Sequence, residues 1–219
     1  MTLHFQREVE KLKKMILNEA AAVEDSLQKA LHALKNRDLE LARQVVDSDD
    51  EIDAMEIEVE EEGLKILALY QPVAIDLRFI ISTIKINNDL ERIGDLTANL
   101  AARTAYLAKA PDVPIAEDIF IMATLAQKMV KESLDALVNM DVGLAQTVCE
   151  TDEQVDNLHK KMFIFVEETI KKDISNLDGY MQQLGISRYL ERIADHATNI
   201  AEDVMYMVEG KIRRHVRPN

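Results

Sequence analysis

The chain has 219 residues and a formal net charge of −14 at pH 7, from 40 acidic and 26 basic residues. This charge disfavours nucleic acid and anionic lipid surfaces as direct partners and makes cations the expected ligands. Hydrophobic residues form 47% of the chain beside only six glycines and four prolines, a balance typical of long helices, so we predict an all-α fold.

The single cysteine, Cys149, excludes an intrachain disulfide. The first residues lack the apolar run of a signal peptide, and no segment approaches the roughly 18 consecutive apolar residues of a membrane span. We therefore expect a cytoplasmic protein without direct membrane insertion.

Three helices are predicted in the first half. Apolar residues recur at three- and four-residue steps over residues 5–34, and a second such pattern follows the break at 36–38 and runs to about residue 69. Pro72 fits the first turn of a third helix over residues 73–108.

The pattern then repeats. Residues 110–114 contain two of the four prolines, which predicts a first module over residues 1–110 and a second over 111–219. Residues 38–53 align with 141–156 at an offset of about 103 positions. A polar break at 172–179 precedes the last helix, which we expect to end near Gly210. A short basic tail follows, with Arg213, Arg214 and Arg217.

The clearest evidence of duplication is one phrase that occurs twice. Leu90-Glu91-Arg92-Ile93-Gly94-Asp95 returns as Leu190-Glu191-Arg192-Ile193-Ala194-Asp195, and the thirteen-residue segments 90–102 and 190–202 share seven identities. We predict two tandem three-helix bundles related by internal duplication, with six long helices in total.

Each half carries two acid pairs with i, i+4 spacing, which places both carboxylates of a pair on one helix face. Residue 72 lies midway between Asp49 and Asp95, and also midway between Asp53 and Glu91, so the two pairs lie at equal height in an antiparallel hairpin. The corresponding midpoint in the second half is 173.5. We therefore predict two metal-binding clusters, with the ligands Asp49, Asp53, Glu91, Asp95, Asp152, Asp156, Glu191 and Asp195.

Four converging carboxylates need either raised pKa values or bound cations. Oxygen-rich sites select hard cations. His159, at the position of Glu56 in the first half, and the two asparagines Asn99 and Asn199 are candidate additional ligands or supporting groups. Glu62 is expected on the solvent side of the second helix.

Other interpretations stay open. The acid pairs can be plain solvated surface, or Arg92 and Arg192 can neutralise them as ion pairs without a metal. A carboxylate-bridged metal enzyme of ferritin-like type would place Glu-x-x-His on two helices, whereas this chain has a single Asp156-x-x-His159. A purely structural helical scaffold is the third possibility.

The chain resembles the PhoU family. The resemblance covers the whole chain and depends on the duplicated Leu-Glu-Arg-Ile-x-Asp phrases, on Gln71-Pro72-Val73-Ala74-Ile75-Asp76-Leu77-Arg78, and on the phrase that runs from Tyr189 to Glu202. It implies that the eight acids hold metal clusters, of iron or alternatively of Mn, Mg, Zn or Ca.

The resemblance further implies a non-enzymatic, cytoplasmic negative regulator of phosphate transport and of the phosphate-starvation response. The implied partners are the ATPase of the phosphate ABC transporter and a sensor histidine kinase. The family also implies a homodimer.

Overall fold

The computed structural model describes residues 3–110, 113–172 and 174–211, which form helices and their connections and contain no strand. The helices are α1 (Leu3–Asn36), α2 (Leu39–Asp47), α3 (Asp49–Tyr70), α4 (Ala74–Ala108), α5 (Glu117–Asn139), α6 (Val142–Lys172) and α7 (Leu177–Glu209). The all-α fold is therefore confirmed. Some residues discussed above lie outside the described part, namely Pro111, Asp112, Asp173, Arg213, Arg214 and Arg217. The division between residues 1–110 and 111–219 stays a prediction.

The second predicted helix is interrupted at Ser48, so α2 and α3 together occupy the place of one helix in a six-helix architecture. Ser48 has φ −90° and ψ −1°, and its hydroxyl donates to the carbonyl of Val45 at 3.1 Å. Short polar side chains compete in this way with helical hydrogen bonds. Our prediction of a continuous second helix was wrong, and the break makes Asp49 the first residue of α3.

The other helix ends follow local chemistry. Asp38 caps α2, because its side chain accepts hydrogen bonds from the backbone N–H groups of Glu40 and Leu41, each at 3.0 Å. Pro72 lies in the connection between α3 and α4, ahead of the first helical turn in which we had placed it. α7 ends at Glu209 and is followed by Gly210 with φ 69°, a conformation that glycine adopts without strain.

Helices α1 to α4 form one bundle and α5 to α7 form a second. Each bundle buries an apolar stripe, which in the first includes Leu12, Val23 and Leu27 of α1 and Ile66 of α3. Helices α4 and α7 pack against each other along their length and join the two bundles. Within the described residues no helix has the length and hydropathy needed to cross a bilayer.

The α4–α7 seam is antiparallel. Lys85 Nζ lies 3.2 Å from Asp203 Oδ1, and farther along α4 Arg103 Nη1 donates to Gln182 Oε1 at 2.8 Å. Because α4 residue numbers rise where α7 numbers fall, residues near 93 lie level with residues near 193. The two copies of the acidic phrase therefore lie at about the same height in the molecule.

Residue Glu62 contradicts our expectation of a solvent-facing charge, because its side chain is only 7% exposed. Its carboxylate accepts hydrogen bonds from Lys11 Nζ of α1 at 2.5 Å and from Lys65 Nζ at 2.6 Å. Burial alone would raise the pKa of Glu62, but the hydrogen bonds from the two lysines lower it to about 2. The ion pair between Lys11 and Glu62 joins α1 to α3.

Candidate metal centres

The first cluster consists of Asp49 and Asp53 on α3 and Glu91 and Asp95 on α4. One carboxylate oxygen from each of Asp53, Glu91 and Asp95 lies within 4.8 Å of the other two. Gly94 allows this approach of the helices, because a Cβ added there would lie 3.2 Å from Ile52 Cγ2 and 3.5 Å from Asp49 Oδ1. Asp49 of α3 thus lies next to α4 at Gly94, close to the other acids of the cluster.

The acids of the first cluster perturb one another. Partial burial, followed by repulsion from Asp53 and Asp95, raises the pKa of Asp49 to about 6. Partial burial and the charge of Asp95 also raise the pKa of Glu91, against a lowering effect of Arg92. These shifts are the cost of bringing like charges together in a poorly solvated place.

Arg92 partly neutralises this cluster. Its Nε lies 3.3 Å from Glu91 Oε2 and its Nη1 lies 3.2 Å from Asp95 Oδ2, so the ion pairs of our metal-free alternative do form here. One guanidinium supplies one positive charge to four carboxylates. With 48% of its side chain exposed, Arg92 also contributes little by itself.

The second cluster consists of Asp152, Asp156, Glu191 and Asp195. Burial and repulsion from Asp195 and Asp156 raise the pKa of Asp152 to about 6. Burial and the charges of the other three acids raise the pKa of Glu191. Among the described residues, however, no three carboxylates of this cluster approach as closely as those of the first, so the second cluster is looser.

The predicted supporting groups bind elsewhere. Asn99 Nδ2 donates to the backbone carbonyl of Asp95 at 2.7 Å, and Asn199 Nδ2 donates to Asp89 Oδ1 at 3.1 Å. His159 Nδ1 is hydrogen bonded to Ser187 Oγ at 3.0 Å. The ferritin-like alternative therefore gains no support from this histidine.

One further acid, Glu19 of α1, was not predicted as part of the site. Its side chain is fully buried and neither carboxylate oxygen has a hydrogen-bond partner. Burial, followed by repulsion from Glu56 and Glu91, raises its pKa to about 9. The signal was available in the sequence, because Glu19 falls within the buried stripe of Leu12, Ile16 and Val23.

The donor atoms of both clusters are carboxylate oxygens, which suit hard cations such as Mg²⁺, Mn²⁺, Ca²⁺ or iron. Burial and mutual repulsion together raise the carboxylate pKa values, and a cation would offset both by supplying positive charge. The residues present therefore fit a metal ion. The arrangement defines a class of protein: a duplicated three-helix bundle in which each half carries one carboxylate cluster, contributed by the two helices of a hairpin.

Comparison with known proteins identifies the repeated unit. The PhoU domain matches residues 9–104 and again residues 119–204, so it occurs once in each half. The chain belongs to the PhoU family.

Curated relatives match over nearly the full length. A phosphate-specific transport system accessory protein PhoU homolog of Clostridium acetobutylicum is 34% identical over 208 residues, which cover 94% of this chain and 95% of that protein. The crystal structure of PhoU from Pseudomonas aeruginosa superposes with a TM-score of 0.92 at 38% identity and covers 94% of this chain and 100% of that one.

A second solved structure is that of the phosphate transport system regulatory protein PhoU from Streptococcus pneumoniae. It has a TM-score of 0.85 at 30% identity and covers 95% of this chain and 98% of the other.

Proposed function

We propose that this protein is a non-catalytic, metal-binding accessory protein of a phosphate-specific transport system. The transport role is supported by the names of its full-length relatives, which are accessory or regulatory proteins of phosphate transport. Metal binding is supported by one observation above all: Asp53, Glu91 and Asp95 present oxygens within 4.8 Å of one another from two different helices.

A cation in each cluster would link the two long helices of a hairpin at mid-height. In the first half it would connect α3 to α4, and in the second α6 to α7. Because a ligand that binds only the folded state stabilises it, metal would hold these helices in one register and fix the outer surface they form. That surface is the docking face we assign to partners.

The proposed partners are the ATPase of the phosphate ABC transporter and a sensor histidine kinase, with the protein as a cytoplasmic negative regulator between them. We also propose that it acts as a homodimer. Iron is the metal we favour, with Mn, Mg, Zn and Ca as alternatives.

The metal assignment is tested by elemental analysis of protein purified without a metal-affinity tag or chelator. The double variant Glu91→Ala/Asp95→Ala should lose the metal of the first cluster, and Glu191→Ala/Asp195→Ala that of the second. The control, Glu58→Ala/Glu61→Ala, removes two exposed acids of α3 outside the cluster and should keep wild-type metal content. Equal metal content in all four proteins would remove the site assignment.

The partner assignment is tested by pull-down of the purified transporter ATPase and of the cytoplasmic part of the kinase, with and without metal. We expect capture by the metal-loaded wild type and weaker capture by the double cluster variants. If neither protein is captured in any metal state, the adaptor role is wrong even when metal is bound.

A further inference from the structure

A group of buried acceptor oxygens lies near Glu91 of the first cluster, whose charge acts on Glu19. Three acceptor atoms there are buried and have no hydrogen-bond donor, namely both carboxylate oxygens of Glu19 and Oδ1 of Asn87, while the buried Oε2 of Glu91 lies 3.3 Å from Arg92 Nε. A buried acceptor without a donor costs about 1 to 3 kcal/mol. Such an arrangement points to a missing positive ligand.

These side chains come from helices that pack together. Glu19 lies on α1, which contacts both α3 and α4, and Asn87 lies one turn before Glu91 on α4. Asn87 Nδ2 donates to the backbone carbonyl of Glu56 on α3 at 2.9 Å, which commits the nitrogen and leaves the oxygen free for another ligand. Glu19 and Asn87 are 0% and 1% exposed, so solvent does not satisfy them directly.

The second half provides an internal comparison. The residues equivalent to Glu19, Glu56, Asn87 and Glu91 are Met122, His159, Ser187 and Glu191. Met122 is fully buried and has no acceptor to satisfy, while His159 and Ser187 are hydrogen bonded to each other at 3.0 Å. The second half thus fills the same interior with an apolar side chain and a satisfied polar pair.

We propose that Glu19, Asn87 and Glu91 form an inner subsite of the first cluster that binds one hard divalent cation, of the Mg²⁺ or Mn²⁺ type, and that the second half has no such subsite. This inference rests on the metal-binding function proposed above. The subsite offers three carboxylate oxygens and one amide oxygen, a donor set that hard cations prefer to nitrogen or sulfur ligands. Glu91 belongs to both the inner subsite and the first cluster, and it therefore connects the inner cation to the other acids of the cluster.

The test is titration of metal-free full-length protein with Mn²⁺, followed by calorimetry and by counting bound ions. Glu19→Met and Asn87→Ser convert two residues of the subsite to their second-half counterparts. Glu19→Met should bind one Mn²⁺ fewer than wild type, and Asn87→Ser should bind that ion at least tenfold more weakly. The control, Glu191→Ala/Asp195→Ala, should lose ions of the second cluster and keep the inner one.

Thermal unfolding supplies a readout that does not depend on ion counting. Metal-free Glu19→Met should unfold at or above the wild-type temperature, which shows that it folds, and should gain less than wild type when Mn²⁺ is added. If Glu19→Met and Asn87→Ser keep wild-type stoichiometry and affinity while the second-cluster control loses ions, the inner subsite is wrong and the proposed function stands. If wild type binds no Mn²⁺, both are wrong.

Discussion

The buried carboxyl group of Glu19 makes the stability of the metal-free protein depend on pH. Its pKa is 4.5 ordinarily and about 9 in the fold, so between these values the folded state keeps a proton that the unfolded chain has lost. Stability from this group is therefore complete below pH 4.5 and is lost as the pH rises through about 9. The loss amounts to about 1.4 kcal/mol per pH unit over the range between them.

The isosteric change Glu19→Gln removes this titration and keeps the shape of the side chain. At pH 7 the variant should be more stable than wild type by about 3 kcal/mol, since the protonation penalty covers the interval from 4.5 to 7. Between pH 5 and pH 8 the difference between the two proteins should grow by about 3 to 4 kcal/mol.

Urea unfolding in chelating buffer at pH 5, 6, 7 and 8 measures this difference directly. The m value, which is the slope of the free energy of unfolding against urea concentration, should be the same in both proteins and would show that the unfolded state is unchanged. A difference that does not vary with pH would refute the reasoning, because it would mean that Glu19 is ionised in the fold or reaches a donor.

Three further predictions concern other parts of the molecule. Because the pKa values of Asp49 and Asp152 are raised to about 6, Mn²⁺ affinity should fall as the pH drops below about 6. Mn²⁺ binding should also release protons, which calorimetry in buffers of different ionisation enthalpy detects. An affinity independent of pH would contradict this prediction. Glu62→Gln should cost about 1 to 2 kcal/mol at pH 7 by urea unfolding, because the half-exposed Lys11 and Lys65 are partly screened by solvent. The lowered pKa of Glu62 contributes this stability above pH 4.5, and it is lost as the pH falls towards 2; a variant as stable as wild type would mean that the two lysines contribute nothing. Gly179→Ala should destabilise the protein by about 1 to 2 kcal/mol in thermal unfolding, because the added Cβ would lie 2.8 Å from Cγ2 of Val113. The control Gly143→Ala, whose Cβ would lie 3.3 Å from Asp141 Oδ1, should be neutral or slightly stabilising in the same assay.

The height match of the acid pairs was accessible from the sequence because it depends on local rules. Helical periodicity places Glu91 and Asp95 on one face, and the polar or proline-containing turn sets the register of the hairpin. The break at Ser48 was not predicted, since its neighbours continue the apolar pattern on both sides. A hydroxyl that bonds to its own helix competes with periodicity at that point.

The buried acids were missed for a different reason. Glu62 looks like a surface charge when α3 is considered alone, and its burial depends on Lys11, which is 51 positions away in sequence. Glu19 interrupts an apolar stripe, but only the packing of α1 against α3 and α4 shows that no donor reaches it. The pairing of α4 with α7 likewise depends on contacts between residues more than 75 positions apart.

That pairing determines how the two halves recognise each other. Lys85 of α4 forms an ion pair with Asp203 of α7. The duplicate of Lys85 is Gly185, and the duplicate of Asp203 is Arg103; the Arg103 guanidinium occupies the space that a Cβ at position 185 would need. If the first half associated with a copy of itself, Lys85 would face Arg103 and two cations would repel. Two copies of the second half would set the carboxylate of Asp203 against a bare glycine. The two halves of the duplicated chain thus present unlike surfaces that complement each other across α4 and α7.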